Sequence, residues 1–231
     1  MVMNEHSKGG APVKRAGAAR PSGAKSLPDA SRGSRDLWLD AACEMLLQQG
    51  VASVMILPLS KRLNLSRTSF YWFFADREEL LDALIERWRD RNTGAVCRQM
   101  EAYAESAGEG VLNLFDCWLD PRLFDTKFEF AVRSWALQSD AVAAEIKAAD
   151  NQRLEAITAM LTRFGYAPVE ADVRARTIYL TQIGYITMQT EETLDVRMKR
   201  IPTYVEIFTG RVAEKRELDR FYGRHRYKPE I

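Results

Sequence analysis

The chain has 231 residues, of which 46% are hydrophobic and 28% are charged, an ordinary composition for a globular protein with a buried core. No apolar run approaches the roughly eighteen residues of a membrane helix, and the N-terminal residues lack the apolar block of a secretory signal. These features predict a protein without a membrane partner. Its three cysteines, an odd number without metal-type spacing, indicate reduced thiols in a cytoplasm.

Residues 1–34 are predicted to form a basic arm. Within residues 1–35, seven lysines and arginines face two carboxylates, a net charge of +5 in a chain whose total is +1. The arm is also rich in Gly, Ala, Ser and Pro, so we expect it to be disordered on its own. Such a segment serves either as a solubilising tail or cloning remnant, or as an arm drawn to phosphates.

Helical periodicity begins at Arg35, and its first apolar stripe runs from Trp38 to Leu46. Gly50 is a natural stop for this helix. A second, shorter helix is predicted from about Met55 to Leu63. The tight turn after it begins at Asn64, a residue type that tolerates the left-handed backbone.

Two capping residues mark the third and fourth helices. Ser66 is placed to cap the third helix through its hydroxyl, and Asp76 to cap the fourth, with Glu79 three residues on completing a capping box. Helix, helix, tight turn, short helix and capped long helix follow one another within about fifty residues, which is the order of a helix-turn-helix unit.

In the remaining chain the spacing of apolar residues predicts longer helices, and the alternation typical of strands does not occur. The predicted stretches are roughly 77–105, 109–119, 124–138, 140–164, 169–190 and 195–209. The tail after Gly210 suggests a short helix followed by a loose basic end. The predicted fold is all-α, with a helix-turn-helix domain at 35–83 and a larger helical domain at 84–231.

Five consecutive aromatic residues, Phe70 to Phe74, follow the polar cluster "SRTS" at 66–69. A helix that enters the major groove needs short polar groups at its N-terminal end and an apolar anchor on its opposite face. Phe70 and Phe74, four residues apart, supply such an anchor. Tyr71 and Trp72 then project from the other side, where a phenol or an indole N–H can meet a phosphate.

The segment "LSKRLNLSRTSFYWFFADREELLDAL" resembles the N-terminal domain of tetracycline-repressor (TetR) family regulators. Leu65-Ser66, Phe70-Tyr71, Phe74 and the start "REEL" match that family's pattern in order and spacing. The resemblance implies an all-α regulator with a DNA-binding domain and an effector-binding, dimerising domain. The implied DNA contacts are Ser66, Arg67, Thr68, Ser69, Tyr71 and Trp72, with Arg77 in place of a backbone-contacting lysine.

The segment also departs from the family pattern. Phe73 stands where a His or Tyr often contacts a phosphate, and a Phe cannot donate that hydrogen bond. Met55 replaces a Thr that commonly caps the second helix, and Ser53 is out of register by two residues. Lys61 is a further candidate phosphate contact, although exposed lysines are more often simply solvated.

The larger domain is expected to form the dimer and to hold a small-molecule effector. Segment 169–190 has apolar residues on more than one face, so with 195–209, where Pro202 should bend or restart the helix, it predicts a four-helix homodimer interface. Two groove helices one DNA turn apart read a palindrome. Candidate pocket residues, which also suit an ordinary core, are Met100, Tyr103, Phe115, Trp118, Phe128, Arg133, Met160 and Tyr185.

Arg133 lies in the otherwise apolar stretch "FEFAVRSWAL". It either pairs with Glu129 or another carboxylate as a buried bridge, or it meets an anionic effector. Because buried arginines are usually paired, the bridge is favoured.

The residues leave three classes of function open. The leading hypothesis is a homodimeric transcription regulator, a repressor that a small-molecule effector releases from a palindromic double-stranded DNA operator. The alternatives are an all-helical enzyme and a protein-binding adaptor with an apolar pocket. Enzymatic chemistry lacks its usual residues, since the two histidines, His6 and His225, have no evident nucleophile or metal partner. We therefore expect no catalytic residues, no metal site and no cofactor.

Overall fold

The computed structural model describes residues 33–229, so the predicted arm at 1–34 lies almost entirely outside the described residues. Within this range the chain forms helices and no strand, which confirms the all-α prediction. The α-helices are α1 (Arg35–Gln49), α2 (Ile56–Leu63), α3 (Arg67–Phe70), α4 (Arg77–Trp88), α5 (Gly94–Glu101), α6 (Ala107–Leu119), α7 (Thr126–Ala136), α8 (Asp140–Arg163), α9 (Pro168–Thr187), α10 (Leu194–Thr209) and α11 (Lys215–Arg224).

Helix boundaries in the N-terminal region follow from local capping. Asn64 has φ 54° and ψ 40°, the left-handed conformation that ends α2. The carboxylate of Asp76 accepts a hydrogen bond from the backbone N–H of Glu79 and so caps α4. The predicted capping box is shifted by one residue, because the Glu79 carboxylate accepts from the N–H of Ala75 rather than from that of Asp76.

The predicted stretch 77–105 is one helical run that ends at Glu101. Between α4 and α5 it passes through a π-helical turn, Arg89–Thr93, whose Asn92 and Thr93 are buried. π-Helical turns add one residue to a helix and redirect the side chains that follow. Here the turn directs the polar side chains of Asn92 and Thr93 into the protein interior.

Two hydrophobic clusters form the core. The first packs α1 to α4 against α7 and α8, with Trp38, Phe70 and Trp88 on one side and Val132 and Trp135 on the other. The second cluster joins α5 and α6 to the four helices α8, α9, α10 and α11. Since α7 contributes to the first cluster, the DNA-binding helices of the prediction rest directly on the larger helical region.

Helix α9 has two apolar faces. Ala171, Ala175 and Ile178 point into the second cluster and are fully buried. Val173 and Leu180, on the other side, are 56% and 59% exposed. A helix in contact with water on that side would not ordinarily carry a row of large apolar residues there.

The structure decides part of two predictions about the C-terminal segments. Helix α10 continues through Pro202 from Leu194 to Thr209 and does not restart there. The tail after Gly210 forms the short helix that the sequence suggests, α11, which is bound to α6 by ion pairs; the segment after it is not loose, because His225 contacts Asp116 and the Tyr227 hydroxyl donates to Asp195. Arg220 lies 2.7 Å from a Glu109 oxygen, and Arg224 lies 2.7 Å from an Asp116 oxygen.

Among residues 33–229, no helix combines the length and the apolar character that crossing a membrane would require.

Candidate nucleic-acid interface

Helix α3 is anchored by its aromatic residues. The ring of Phe70 is fully buried and meets the Trp38 ring edge-on, with centroids 5.4 Å apart. Phe74 stacks on Phe70 at the same centroid distance. Aromatic pairs in these geometries add about 0.5–1.5 kcal/mol each beyond the area they bury. A single helical turn, too short to be stable alone, is thereby held rigidly on α1.

The turn before α3 is fixed by hydrogen bonds. The N–H of Leu65 donates to the carbonyl of Ser60 at 2.9 Å, which closes the end of α2. The hydroxyl of Ser66 accepts from the N–H of Ser69 at 3.2 Å and caps α3 as predicted. The N-terminal end of α3 therefore has a defined orientation relative to α2.

The outer face of this unit is polar and aromatic. Arg67 and Thr68 are exposed on α3, and the side chains of Tyr71 and Trp72 are exposed at 57% and 64%. Lys61 is exposed on α2 nearby in sequence. Arg67 and Lys61 form no ion pair with another described residue. The face thus presents two cationic groups and two large aromatic rings to its surroundings.

Two of the predicted contact residues do not present their side chains on this face. Ser69 is 3% exposed, and its hydroxyl donates to the carbonyl of Ser66 at 2.6 Å. Arg77 is only partly exposed, and its guanidinium donates to the carbonyls of Val54 at 2.7 Å and Val51 at 3.2 Å. The Ser69 hydroxyl therefore stabilises the start of α3, and Arg77 fixes α4 to the segment after α1.

The start of α2 has no side-chain cap. Met55 occupies the capping position, is 47% exposed and makes no capping hydrogen bond. The hydroxyl of Ser53 donates to the carbonyl of Gly50 at 2.7 Å, so Ser53 does not replace the missing cap.

Residues 39–84, which include α2, α3 and the start of α4, match the model of "Bacterial regulatory proteins, tetR family". The chain carries a TetR-family DNA-binding domain. The predicted resemblance is confirmed by this match over residues 39–84, which supports a DNA-binding transcriptional regulator. Regulators of this kind are generally not enzymes.

Solved structures of similar fold extend the likeness beyond the TetR domain. AmtR of Mycobacterium smegmatis has 15% identity and a TM-score of 0.59, and the match covers 91% of this chain and 100% of AmtR. GusR of Salmonella enterica has 15% identity and a TM-score of 0.58, over 76% of this chain and 93% of GusR. A transcriptional regulator of Aquifex aeolicus has 17% identity and a TM-score of 0.52, over 77% and 96%. No curated protein sequence matches this one.

Three of the predicted pocket residues line one chamber. Phe115 and Trp118 of α6 meet Tyr185 of α9 around a space of about 20 Å³, enough for a water molecule. The hydroxyls of Tyr185 and Tyr204 lie 2.9 Å apart beside it.

The other predicted pocket residues lie elsewhere. Met100 and Met160 are packed in the second hydrophobic cluster, and Phe128 lies in the first. Tyr103, after the end of α5, is 83% exposed, so the prediction that it lines a pocket is wrong.

Arg133 belongs to a buried ionic cluster. It pairs with Glu129 at 2.9 Å and with Asp150, which confirms the structural bridge that its sequence context favours. Glu129 is fully buried and also pairs with Arg153 at 2.8 Å. The hydroxyl of Tyr179 donates to Asp150 at 2.6 Å. With these neighbours, Arg133 is not available to an effector.

The cluster connects α4 with the larger helical region. Glu129 of α7 accepts hydrogen bonds from the Trp88 indole at 2.8 Å and from the Asn92 amide at 2.9 Å. Arg153 of α8 donates to the Thr93 hydroxyl at 3.0 Å. The end of α4 and the π-helical turn are therefore tied to α7 and α8 through one carboxylate and one guanidinium.

In the described part of the chain, no group of three His, Cys, Asp or Glu side chains is arranged to hold a metal ion.

Proposed function

We propose that this regulator is a homodimeric repressor that binds a palindromic operator through α3 and leaves it when an effector binds the larger domain. The observation that carries the proposal is the outer face of α3: Arg67 and Thr68 stand at its tip with Tyr71 and Trp72 beside them, on a helix held by buried aromatic rings. Since its ligand is chromosomal DNA, we place the protein in the cytoplasm.

The proposed DNA contacts fall into two groups. Arg67 and Thr68, at the start of α3, are assigned to base edges in the major groove, where arginine recognises guanine through two hydrogen bonds. Ser66, Tyr71, Trp72 and Lys61 are assigned to the phosphate backbone, which positions the helix without reading sequence.

Dimerisation through α9 and α10 is supported by exposed apolar residues on both helices. Val169, Val173 and Leu180 of α9 and Ile207 of α10 are each more than half exposed. Exposed apolar surface of this kind, contiguous at Val169, Val173 and Ile207, marks an interaction site. Pairing two copies through these helices gives a four-helix interface and sets two α3 helices on one DNA molecule.

Release by an effector requires that the effector prefer one conformer of the dimer. A ligand shifts such an equilibrium only by its difference in affinity for the two states. The connection of α4 to α7 and α8 through Glu129 and Arg153 gives a packed route between an effector site and α3. A dimer whose two α3 helices have the wrong separation would bind only one half-site of the operator.

Arg67→Ala and Tyr71→Ala test the contact assignment. Loss of a bidentate base contact costs about 1–3 kcal/mol, so we expect Arg67→Ala to weaken operator binding by roughly 10- to 100-fold and to relax sequence preference. Tyr71→Ala should weaken binding to all sequences more evenly. Gel-shift titration at fixed salt measures both, with Arg122→Ala, an exposed arginine before α7, as the control.

Circular dichroism and light scattering must show that both variants keep the helix content and the oligomeric state of the parent protein. Unchanged operator affinity for Arg67→Ala and Tyr71→Ala would contradict the assignment of α3 as the reading helix.

A further inference from the structure

A crevice opens between the TetR domain and the larger helical region. Its volume is about 550 Å³. Its walls include Leu46 of α1 and Val51 just after that helix, together with Phe130 and Trp135 of α7 and Tyr185 of α9. Small-molecule sites typically measure about 300–1,000 Å³ and are mostly apolar. This space, called here the α1–α7–α9 crevice, has both the size and the lining of such a site.

Arg197 of α10 lines both this crevice and the neighbouring chamber at Trp118. Its guanidinium lies 5.6 Å from the centre of the Tyr185 ring and forms no ion pair with a described residue. Burial lowers the pKa of Arg197, because the charged form has lost part of its hydration. No described carboxylate lies within ion-pair distance of Arg197, although the Glu192 carboxylate of the adjoining chamber acts on it electrostatically, so the guanidinium can still bind an anionic group.

Other arginines in partly or fully buried positions are differently arranged. Arg133, Arg153 and Arg174 each have a carboxylate within 3 Å. Glu192, which also lines the chamber, pairs with Arg200 through Oε1, while its buried Oε2 has no hydrogen-bond partner among the described residues. The lack of a partner at Arg197 is therefore a local property of this site.

The remaining polar groups of the site include both donors and acceptors. Lys127 lines the crevice and forms no ion pair with a described residue, while Glu191 is the one carboxylate among the described lining residues. In the adjoining chamber the indole N–H of Trp118 is buried and has no hydrogen-bond acceptor among residues 33–229. Cationic groups around an apolar wall suit a ligand with an acidic head and an apolar body.

We propose that the α1–α7–α9 crevice binds an apolar organic carboxylate, with the acid group on Arg197 and the aromatic or aliphatic body against Phe130 and Trp135. The proposal deepens the proposed function, because it rests on that function for the role of the ligand as effector. The ligand would touch α1 and the segment after it on one side and α9 and α10 on the other. Its binding would therefore change how the TetR domain sits on the larger region.

Calorimetric titration of the full chain with 2-naphthoate and decanoate tests this inference. The controls are 2-naphthamide and decanamide, which keep the apolar body without the charge, and 2-naphthylmethylamine, which reverses the charge. Because charge-assisted hydrogen bonds are the strong ones, we expect at least one carboxylate to bind about tenfold or more tightly than its amide and than the amine.

Arg197→Gln should remove this preference, Arg197→Lys should keep part of it, and Arg122→Gln, outside the crevice, should leave it intact. Melting temperatures of all variants establish that they are folded. The inference is overturned if no carboxylate binds at millimolar concentration, if the amides or the amine bind equally well, or if the folded Arg197→Gln protein keeps the preference.

Operator binding by the unliganded protein is measured separately. Selective carboxylate binding without operator binding would overturn the proposed function and leave the ligand site standing. Operator binding without carboxylate selectivity would overturn the ligand site alone.

Discussion

Replacing Glu129 with alanine is expected to lower the free energy of unfolding by about 3–5 kcal/mol, because it leaves the buried Arg153 without its carboxylate. The fully buried Glu129 is the common partner of Arg153, Arg133, Trp88 and Asn92. Such a loss is a large fraction of the roughly 5–15 kcal/mol that stabilises an ordinary domain. Chemical denaturation at neutral pH, followed by circular dichroism, measures it.

Glu145→Ala is the matched control, because Glu145 pairs with Arg89 on the surface, where both side chains are more than 40% exposed. It should cost about 0–1 kcal/mol. Glu129→Gln, which keeps the shape of the side chain and removes its charge, should also be clearly destabilising. Losses at Glu129 no larger than that of Glu145→Ala would contradict the structural role given to the ionic cluster.

The effect of Glu129 should depend on pH. Burial raises the pKa of Glu129, but the guanidinium of Arg153 and that of Arg133 outweigh burial and hold this pKa below its ordinary value. A carboxyl with a depressed folded-state pKa stabilises the fold above its unfolded pKa of about 4.3 and loses that contribution as pH falls through the folded-state pKa. The difference in stability between the parent protein and Glu129→Ala should therefore shrink in acid.

We expect that placing glutamates at Val173 and Leu180 together converts the proposed dimer into a monomer. The two side chains are exposed on the outer face of α9, and in a symmetric interface the new charges would be buried on both subunits. A monomer engages one half-site instead of two, so operator affinity should fall by about 100-fold or more. Light scattering gives the oligomeric state, and gel-shift titration gives the affinity.

Leu137→Glu is the control for this pair, since Leu137 is 87% exposed and lies between α7 and α8, outside the proposed interface. It should remain dimeric and keep its operator affinity. A Val173→Glu, Leu180→Glu protein that stays dimeric would show that α9 is not the interface.

The features of α2 to α4 that could be predicted from the sequence are those set by neighbouring residues. The left-handed backbone of Asn64 and the caps at Ser66 and Asp76 are visible because their hydrogen bonds span four residues or fewer. The buried anchors Phe70 and Phe74 follow from their helical spacing. Local chemistry therefore determines much of the fold of the TetR domain.

The side-chain partners of Ser69 and Arg77 have the opposite origin. Ser69 has the residue type of a DNA contact, but its position three residues after Ser66 turns its hydroxyl back to that residue. Arg77 donates to carbonyls 23 and 26 residues earlier in the chain. The choice of acceptor in such cases depends on packing between distant segments, which residue type and spacing do not specify.

The partners in the ionic cluster and in the crevice also depend on packing between distant segments, so they could be predicted only in part. The pairing of Arg133 with Glu129 could be predicted because the two residues are four apart on one helix. The partners that Glu129 finds in Trp88 and Arg153 lie 41 and 24 residues away. Arg197, on which the ligand proposal depends, forms no ion pair with a described residue. This absence becomes visible only when the neighbouring carboxylates have been placed.

The role of α3 as the DNA-reading helix is tested most directly by footprinting of the full-length protein on genomic DNA from its source organism. We expect a protected site with two inverted half-sites about one DNA turn apart, bound with a strong dependence on salt and lost in Arg67→Ala. Failure to protect any discrete site at low salt, or equal protection by the folded Arg67→Ala protein, would contradict that role.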